Sequence, residues 1–176
     1  MWIEPRSSTP GSVESLGFDE FYRLNLPVVY GYLLRLCGGR IDQAQDLTQE
    51  TWLSFVDHVR AGHGGTADVG WLITVARSRY IDQWRRHRRL SHNLSLAWAS
   101  DRASDVEPGD DPMCGELGEH LASLAAEHRL VLTLRYIDGL GVAEIAQLVA
   151  RTTTATYSLL ARARQDLRLR AAGATT

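Results

Sequence analysis

The chain is predicted to be all-α: two small helical domains joined by a flexible acidic linker. Three observations predict this. Apolar residues recur at three- and four-residue intervals through most of the sequence, as one buried face of a helix requires. Long period-two alternation, the mark of a half-buried strand, is absent. A Pro- and Gly-broken stretch rich in Asp and Glu separates the two periodic blocks.

Residues 1–17, with Pro5, Pro10, Gly11 and several serines, are expected to form a flexible lead-in. A helix follows over 18–36, with Phe21, Leu24, Val28, Val29, Tyr32, Leu33 and Leu36 inward. Pro27 should kink or split it, and Gly38 and Gly39 end it. Asp42, with Gln45 three residues on, suits the N-cap of a second helix reaching about residue 60. Its inner side would carry Ala44, Leu47, Thr51, Phe55, Val56 and Val59. Its other face carries Asp42, Gln45, Asp46, Gln49, Glu50 and Leu53. Asp42, Asp46 and Glu50 stand four residues apart and gain nothing from one another within the helix. They fit an acidic docking surface for a basic partner, or a plain solvated face. A di-metal site would require Glu-x-x-His pairs and a second such helix, which the sequence lacks. No metal or other cofactor is expected.

A glycine-rich loop, 61–68, contains His63, and Asp68 is placed to cap the next helix. In that helix Leu72, Val75, Ala76 and Tyr80 give a buried stripe. Beyond it Arg77, Arg79, Arg85, Arg86, Arg88 and Arg89 stand against a single acid, Asp82. Trp71, Tyr80 and Trp84 are interleaved with these arginines. Guanidinium groups neutralise phosphates and flat rings receive unstacked bases, so the pattern suits a partly single-stranded nucleic acid. A solvated basic face over core aromatics is the plainer alternative.

The overall formal charge of −2 conceals this segregation: residues 101–119 carry seven acids against Arg102 alone. All nineteen basic residues other than histidine are arginine. That favours bidentate phosphate or base contacts, and G+C-rich coding would produce the same bias. Cys37 and Cys114 belong to no Cys-x-x-Cys pair, which argues against a zinc site. No stretch approaches the roughly 18–20 apolar residues that span a bilayer, and the start lacks the pattern of a signal peptide. A cytoplasmic protein without membrane insertion is expected.

The linker spans 91–116; its acidic run could be a spacer, a nucleic-acid mimic or a cover for a basic face. Helical rhythm returns over 117–170, with Leu117, Leu121 and Leu124, then 127–137 with Leu130, Val131, Leu134 and Tyr136 inward. A short helix over 142–149, a tight turn at 150–152 and a helix over 153–170 match a helix-turn-helix. Ala146, Leu148 and Leu160 face inward; Arg162, Arg164, Arg168 and Arg170 make the last helix basic near its end. Residues 171–176 are a tail.

In order, these segments resemble the group IV, extracytoplasmic-function (ECF) sigma factors of bacterial RNA polymerase. The likeness rests on Phe18–Arg23 with Val29–Leu36, on Asp46–Leu53, on Trp71–Arg77 with Ile81, Asp82 and the arginines, and on Leu132–Leu140 with Glu144–Ala146 and Ala161–Arg164. It implies sigma region 2 over 18–90 and region 4 over 117–170. By resemblance, Asp42, Asp46, Gln49, Glu50 and Leu53 would dock on the clamp helices of the polymerase beta-prime subunit, and the beta flap would be a further contact. His63, Trp71, Arg77, Arg79, Tyr80, Trp84, Arg85, Arg86, Arg88 and Arg89 would hold melted minus-ten DNA. Arg151, Thr153, Thr154, Thr156, Tyr157, Ser158, Arg162 and Arg164 would serve the minus-thirty-five element. Promoter DNA and an anti-sigma factor are the implied partners, with no small-molecule substrate and no catalysis. Two departures stand out: the recognition helix carries hydroxyls where the family is basic, and Ala150 replaces a turn glycine. Ser78 also stands where asparagine is common. A helix-turn-helix regulator that binds intact duplex without polymerase is the competing reading. An enzyme would rest only on the carboxylate row and scattered histidines, with no nucleophile–base pair to support it.

Overall fold

The computed structural model describes residues 11–94 and 116–173, all in helices and short connections with no strand among them. The helices are α1 (Val13–Leu16), α2 (Phe18–Cys37), α3 (Ile41–His58), α4 (Val69–Leu94), α5 (Glu116–Ala122), α6 (Ala126–Leu132), α7 (Val142–Leu148) and α8 (Thr153–Gly173). The expected all-α class therefore holds. Contacts divide the chain into two units, Met1–Leu33 with Asp42–Tyr80, and Leu34–Ile41 with Ile81–Thr176. In this grouping the ends of α2 and α4 fall with the C-terminal helices. The acidic linker lies outside the described residues for 95–115.

In the first unit the core is aromatic. Phe21 from α2 and Phe55 from α3 are fully buried and stack with ring centroids 5.0 Å apart, and Trp52 meets Phe55 edge-on at 5.2 Å. Such pairs add to area burial through the ring quadrupoles. Thr48 and Thr51 sit in this core because each hydroxyl donates to the carbonyl four residues back, so neither buried oxygen lacks a partner. Of the expected kink or split at Pro27, the split does not occur: α2 runs through it unbroken. It stands on an exposed part of the helix, where water can satisfy the carbonyl that loses its N–H partner. Leu24 and Val28, expected inside, are exposed for the same reason of facing. Asp42 lies in the first turn of α3 rather than at its cap, since the helix already begins at Ile41. The expected lead-in also differs: Val13–Leu16 is helical, with Ser12 and Val13 buried.

In the second unit α8 is the spine against which α5, α6 and α7 pack. Leu130, Val131, Leu134, Ile145, Val149, Leu159 and Ala163 form its core. Tyr136, expected inward, is exposed because α6 gives way to a wider turn over Thr133–Ile137 that rotates it outward. The α7–α8 turn is closed by the Arg151 N–H donating to the Ala146 carbonyl at 2.9 Å. This geometry places Ala150 at φ 52°, a left-handed conformation that glycine adopts without strain and alanine does not. The substitution at the turn is thus tolerated at a cost. Arg129, almost wholly buried, donates through Nε to the Leu36 carbonyl at 2.9 Å and through Nη1 to those of Ala122 and Leu124 at 2.9 and 3.1 Å. Its charge rests against the carbonyl ends of α2 and α5, where a cation is favoured. Gly38, at φ 67°, leaves room for that guanidinium; a β-carbon there would collide with it. Asp166 on α8 has its carboxyl pulled below the ordinary range. Burial alone would raise it, but hydrogen bonds from His128 and Arg170 outweigh that.

Candidate polymerase and nucleic-acid interfaces

On α3, burial of Ala44, Leu47, Thr51 and Phe55 turns the opposite face outward. Asp42, Asp46, Gln49, Glu50 and Leu53 are all exposed, and Leu53 keeps 66% of its surface in solvent. Beside this face runs an apolar groove of about 1020 Å³ between α2 and α3, lined by Tyr22, Leu26, Tyr30, Gln49, Trp52 and Leu53 among others. A stripe of carboxylates edging an apolar groove can receive a helical partner with basic and apolar side chains. Among the described residues no three His, Cys, Asp or Glu side chains come together as a metal site.

The connection from α3 to α4 turns at Gly62, φ 85°, and runs through Gly64–Thr66 to Asp68. Asp68 caps α4 as expected, accepting from the Trp71 N–H at 2.8 Å. Three rings then form a ladder: His63 on His58 at 4.9 Å and His58 on Trp71 at 4.4 Å, each pair within 20° of parallel. His63, at one end, is exposed. Burial, and then the nearby His63, hold the His58 imidazole below its ordinary pKa, so its neutral, stacking form is favoured. His58 was not among the sequence candidates; its position five residues from His63 carried no recognisable period.

The arginines of α4 sort differently. Tyr80 and Trp84 are 2% and 6% exposed, so neither ring is available for stacking on a base; both belong to the core. Arg79 donates to the Ser54 hydroxyl at 2.8 Å, Arg77 is half-buried, and Arg86 and Arg89 are exposed. In the second unit Arg85 reaches the Leu148 carbonyl through Nε and Nη2, and Arg88 reaches that of Val149 at 3.1 Å while lying over the Trp84 ring. The carbonyl end of α7 thus holds two cations.

On α8, Thr152 caps the helix, its hydroxyl accepting from the Ala155 N–H at 3.2 Å. Thr153, Thr154, Tyr157 and Ser158 are exposed along the first turns. Thr156 is not: it is fully buried and its hydroxyl donates to the Thr152 carbonyl, which removes it from any base-reading set. Arg151 is paired with Glu127 at 2.6 Å, and Arg162 and Arg164 stand exposed, two residues apart, further along α8.

An acidic-faced helix, a basic, ring-bearing helix and a helix-turn-helix, in this order, describe a transcription-initiation subunit, and comparison with known proteins agrees. The family model for sigma-70 region 2 matches residues 21–90 and that for sigma-70 region 4 matches residues 114–167. The chain is 31% identical to the ECF RNA polymerase sigma factor SigL of Mycobacterium tuberculosis over 146 residues, 80% of this chain and 81% of that one. It is 28% identical to SigM, an ECF sigma factor of Bacillus subtilis, covering 85% of this chain and 92% of the other. The solved structure of the sigma factor RpoE of Bartonella quintana, in complex with the anti-sigma factor NepR, shares the fold. Its TM-score is 0.53 at 22% identity, over 87% of this chain and 95% of that one. The chain belongs to the ECF sigma factors of RNA polymerase, the subunits that direct transcription initiation.

Proposed function

We propose that α3 docks this sigma factor on the polymerase core through Asp42, Asp46, Gln49, Glu50 and Leu53, the clamp helices of beta-prime supplying the basic and apolar counterpart. The beta flap is assigned to the second unit. The observation that carries the docking assignment is Leu53, two-thirds exposed at the meeting of the carboxylate row and the groove. His63, at the open end of the ladder over Trp71, receives an unpaired minus-ten base. Extrusion of that base costs a few kcal/mol, which stacking and phosphate contacts offset. Arg77, Arg79, Arg86 and Arg89 neutralise the adjoining backbone, and Arg85 and Arg88 join them if they leave their carbonyl partners. Thr153, Thr154, Tyr157 and Ser158 read the minus-thirty-five major groove through hydroxyls and ring edges, with Arg162 and Arg164 on phosphates and Arg151 positioned by Glu127. The protein acts in the cytoplasm beside the polymerase, has no catalytic step of its own, and is held in check by an anti-sigma factor.

Asp46→Arg with Glu50→Arg tests the docking face. Core polymerase should no longer retain the double variant, while its circular dichroism spectrum is that of the wild type. Undiminished retention would refute the assignment.

A further inference from the structure

The glycine loop contains glycines of two kinds. Gly62 has φ 85° and open space where a side chain would lie, so it is required for backbone conformation. Gly64 and Gly65 have no such positive φ, but a β-carbon on either would press on the end of one side chain, which would have to shift. A β-carbon on Gly64 would lie 3.0 Å from Oε1 of Glu14, and one on Gly65 would lie 2.9 Å from Oε2. The occupant is therefore the Glu14 carboxylate, carried by α1. The segment bearing it is anchored: Ser12 and Val13 are buried, the Val13 N–H donates to the Ala67 carbonyl at 3.3 Å, and the Ser15 hydroxyl donates to the Ser12 carbonyl at 2.8 Å.

We infer that the segment Ser12–Leu16 straps the loop and that Glu14 is a positioning residue for base capture. This rests on the reading that the loop and His63 receive an unpaired base. Gly64 immediately follows His63, and the Thr66 hydroxyl donates to the His63 carbonyl at 3.0 Å. A carboxylate seated against Gly64 and Gly65 thereby sets where the outer ring of the ladder stands. Its charge also repels phosphate from this spot, so the strand meets the loop with a neutral base rather than with its backbone.

The test uses holoenzyme assembled from core and the full chain, on promoter fragments carrying 2-aminopurine at each minus-ten position in turn. Wild type should give a fluorescence rise at one position, with a preference among the four bases there. Glu14→Ala and Gly65→Ala should each weaken capture roughly fivefold, the scale of one partly exposed charged contact, and flatten the base preference. The combination should be no worse than either alone, since both remove the same seated carboxylate. Glu14→Gln, which keeps the shape, should fall between. Core affinity and melting temperature should not move. Wild-type capture in both single variants, additive losses in the pair, or stronger capture by Glu14→Ala would overturn the strap. A wild type with no rise at any position would instead overturn the loop reading on which it rests.

Discussion

Truncating Leu53 to alanine separates docking from folding. Burying a fully exposed leucine contributes about 2–3 kcal/mol. Leu53 retains 66% of its surface in the free protein, and alanine keeps the β-carbon, so about 1.5 kcal/mol of partner burial is at stake. That corresponds to roughly tenfold weaker association with core polymerase. The fold should not register the change, because the side chain contributes little to the unit's interior and alanine is the better helix former. Phe55, two residues on and fully buried in the ring cluster, provides the contrast: its alanine variant should lose about 3–5 kcal/mol of stability. The assay is a titration of labelled protein with core, alongside urea unfolding of both variants. If Leu53→Ala binds core within twofold of wild type, or unfolds at a clearly lower urea concentration, Leu53 is not an open docking residue.

Three further outcomes follow from the geometry. Replacing Arg86 and Arg89, both exposed, with alanine should lower the slope of log affinity against log salt for holoenzyme on promoter DNA. The decrease should be about 0.9 for each duplex phosphate no longer neutralised; an unchanged slope returns both arginines to a solvated face. Ala150→Gly should raise the stability of the second unit by up to about 1 kcal/mol, because the left-handed φ of 52° then carries no steric penalty, and a lower melting temperature would contradict this. The His58 imidazole should titrate in an NMR series with a midpoint below about 6.5, its unfolded value. A depressed histidine pKa means the unfolded chain takes up the proton first. Stability should therefore be undiminished above that pH and fall as the pH drops from there toward the folded midpoint; a rise in stability on acidification would refute the burial of that ring.

What was legible in the sequence followed from period and punctuation. The α3 and α4 faces, the α2 face apart from Leu24 and Val28, the Asp68 cap, the glycine stop after α2 and the helix-turn-helix all follow from local chemistry that tertiary packing had no cause to override. The readings that failed did so where distant residues decide. Nothing local in the sequence marks Arg129 as the residue on which the carbonyl ends of two helices converge. Glu14 reads as part of a polar lead-in until its carboxylate meets Gly64 and Gly65 from across some fifty positions. Thr156 reads as a base-contacting hydroxyl, but it lies on the buried side of α8 and is core. Nothing in single-residue chemistry distinguishes these cases beforehand.

Tyr80 and Trp84 are more instructive, because the information was present and outweighed. Leu72, Ala76, Tyr80 and Trp84 lie four residues apart and continue one buried stripe. Rings set four residues apart among arginines are therefore supports for the basic face, not part of it. On the function proposed above, stacking surface comes instead from the ladder of His63, His58 and Trp71 at the start of α4. The two tasks are thus separated along one helix.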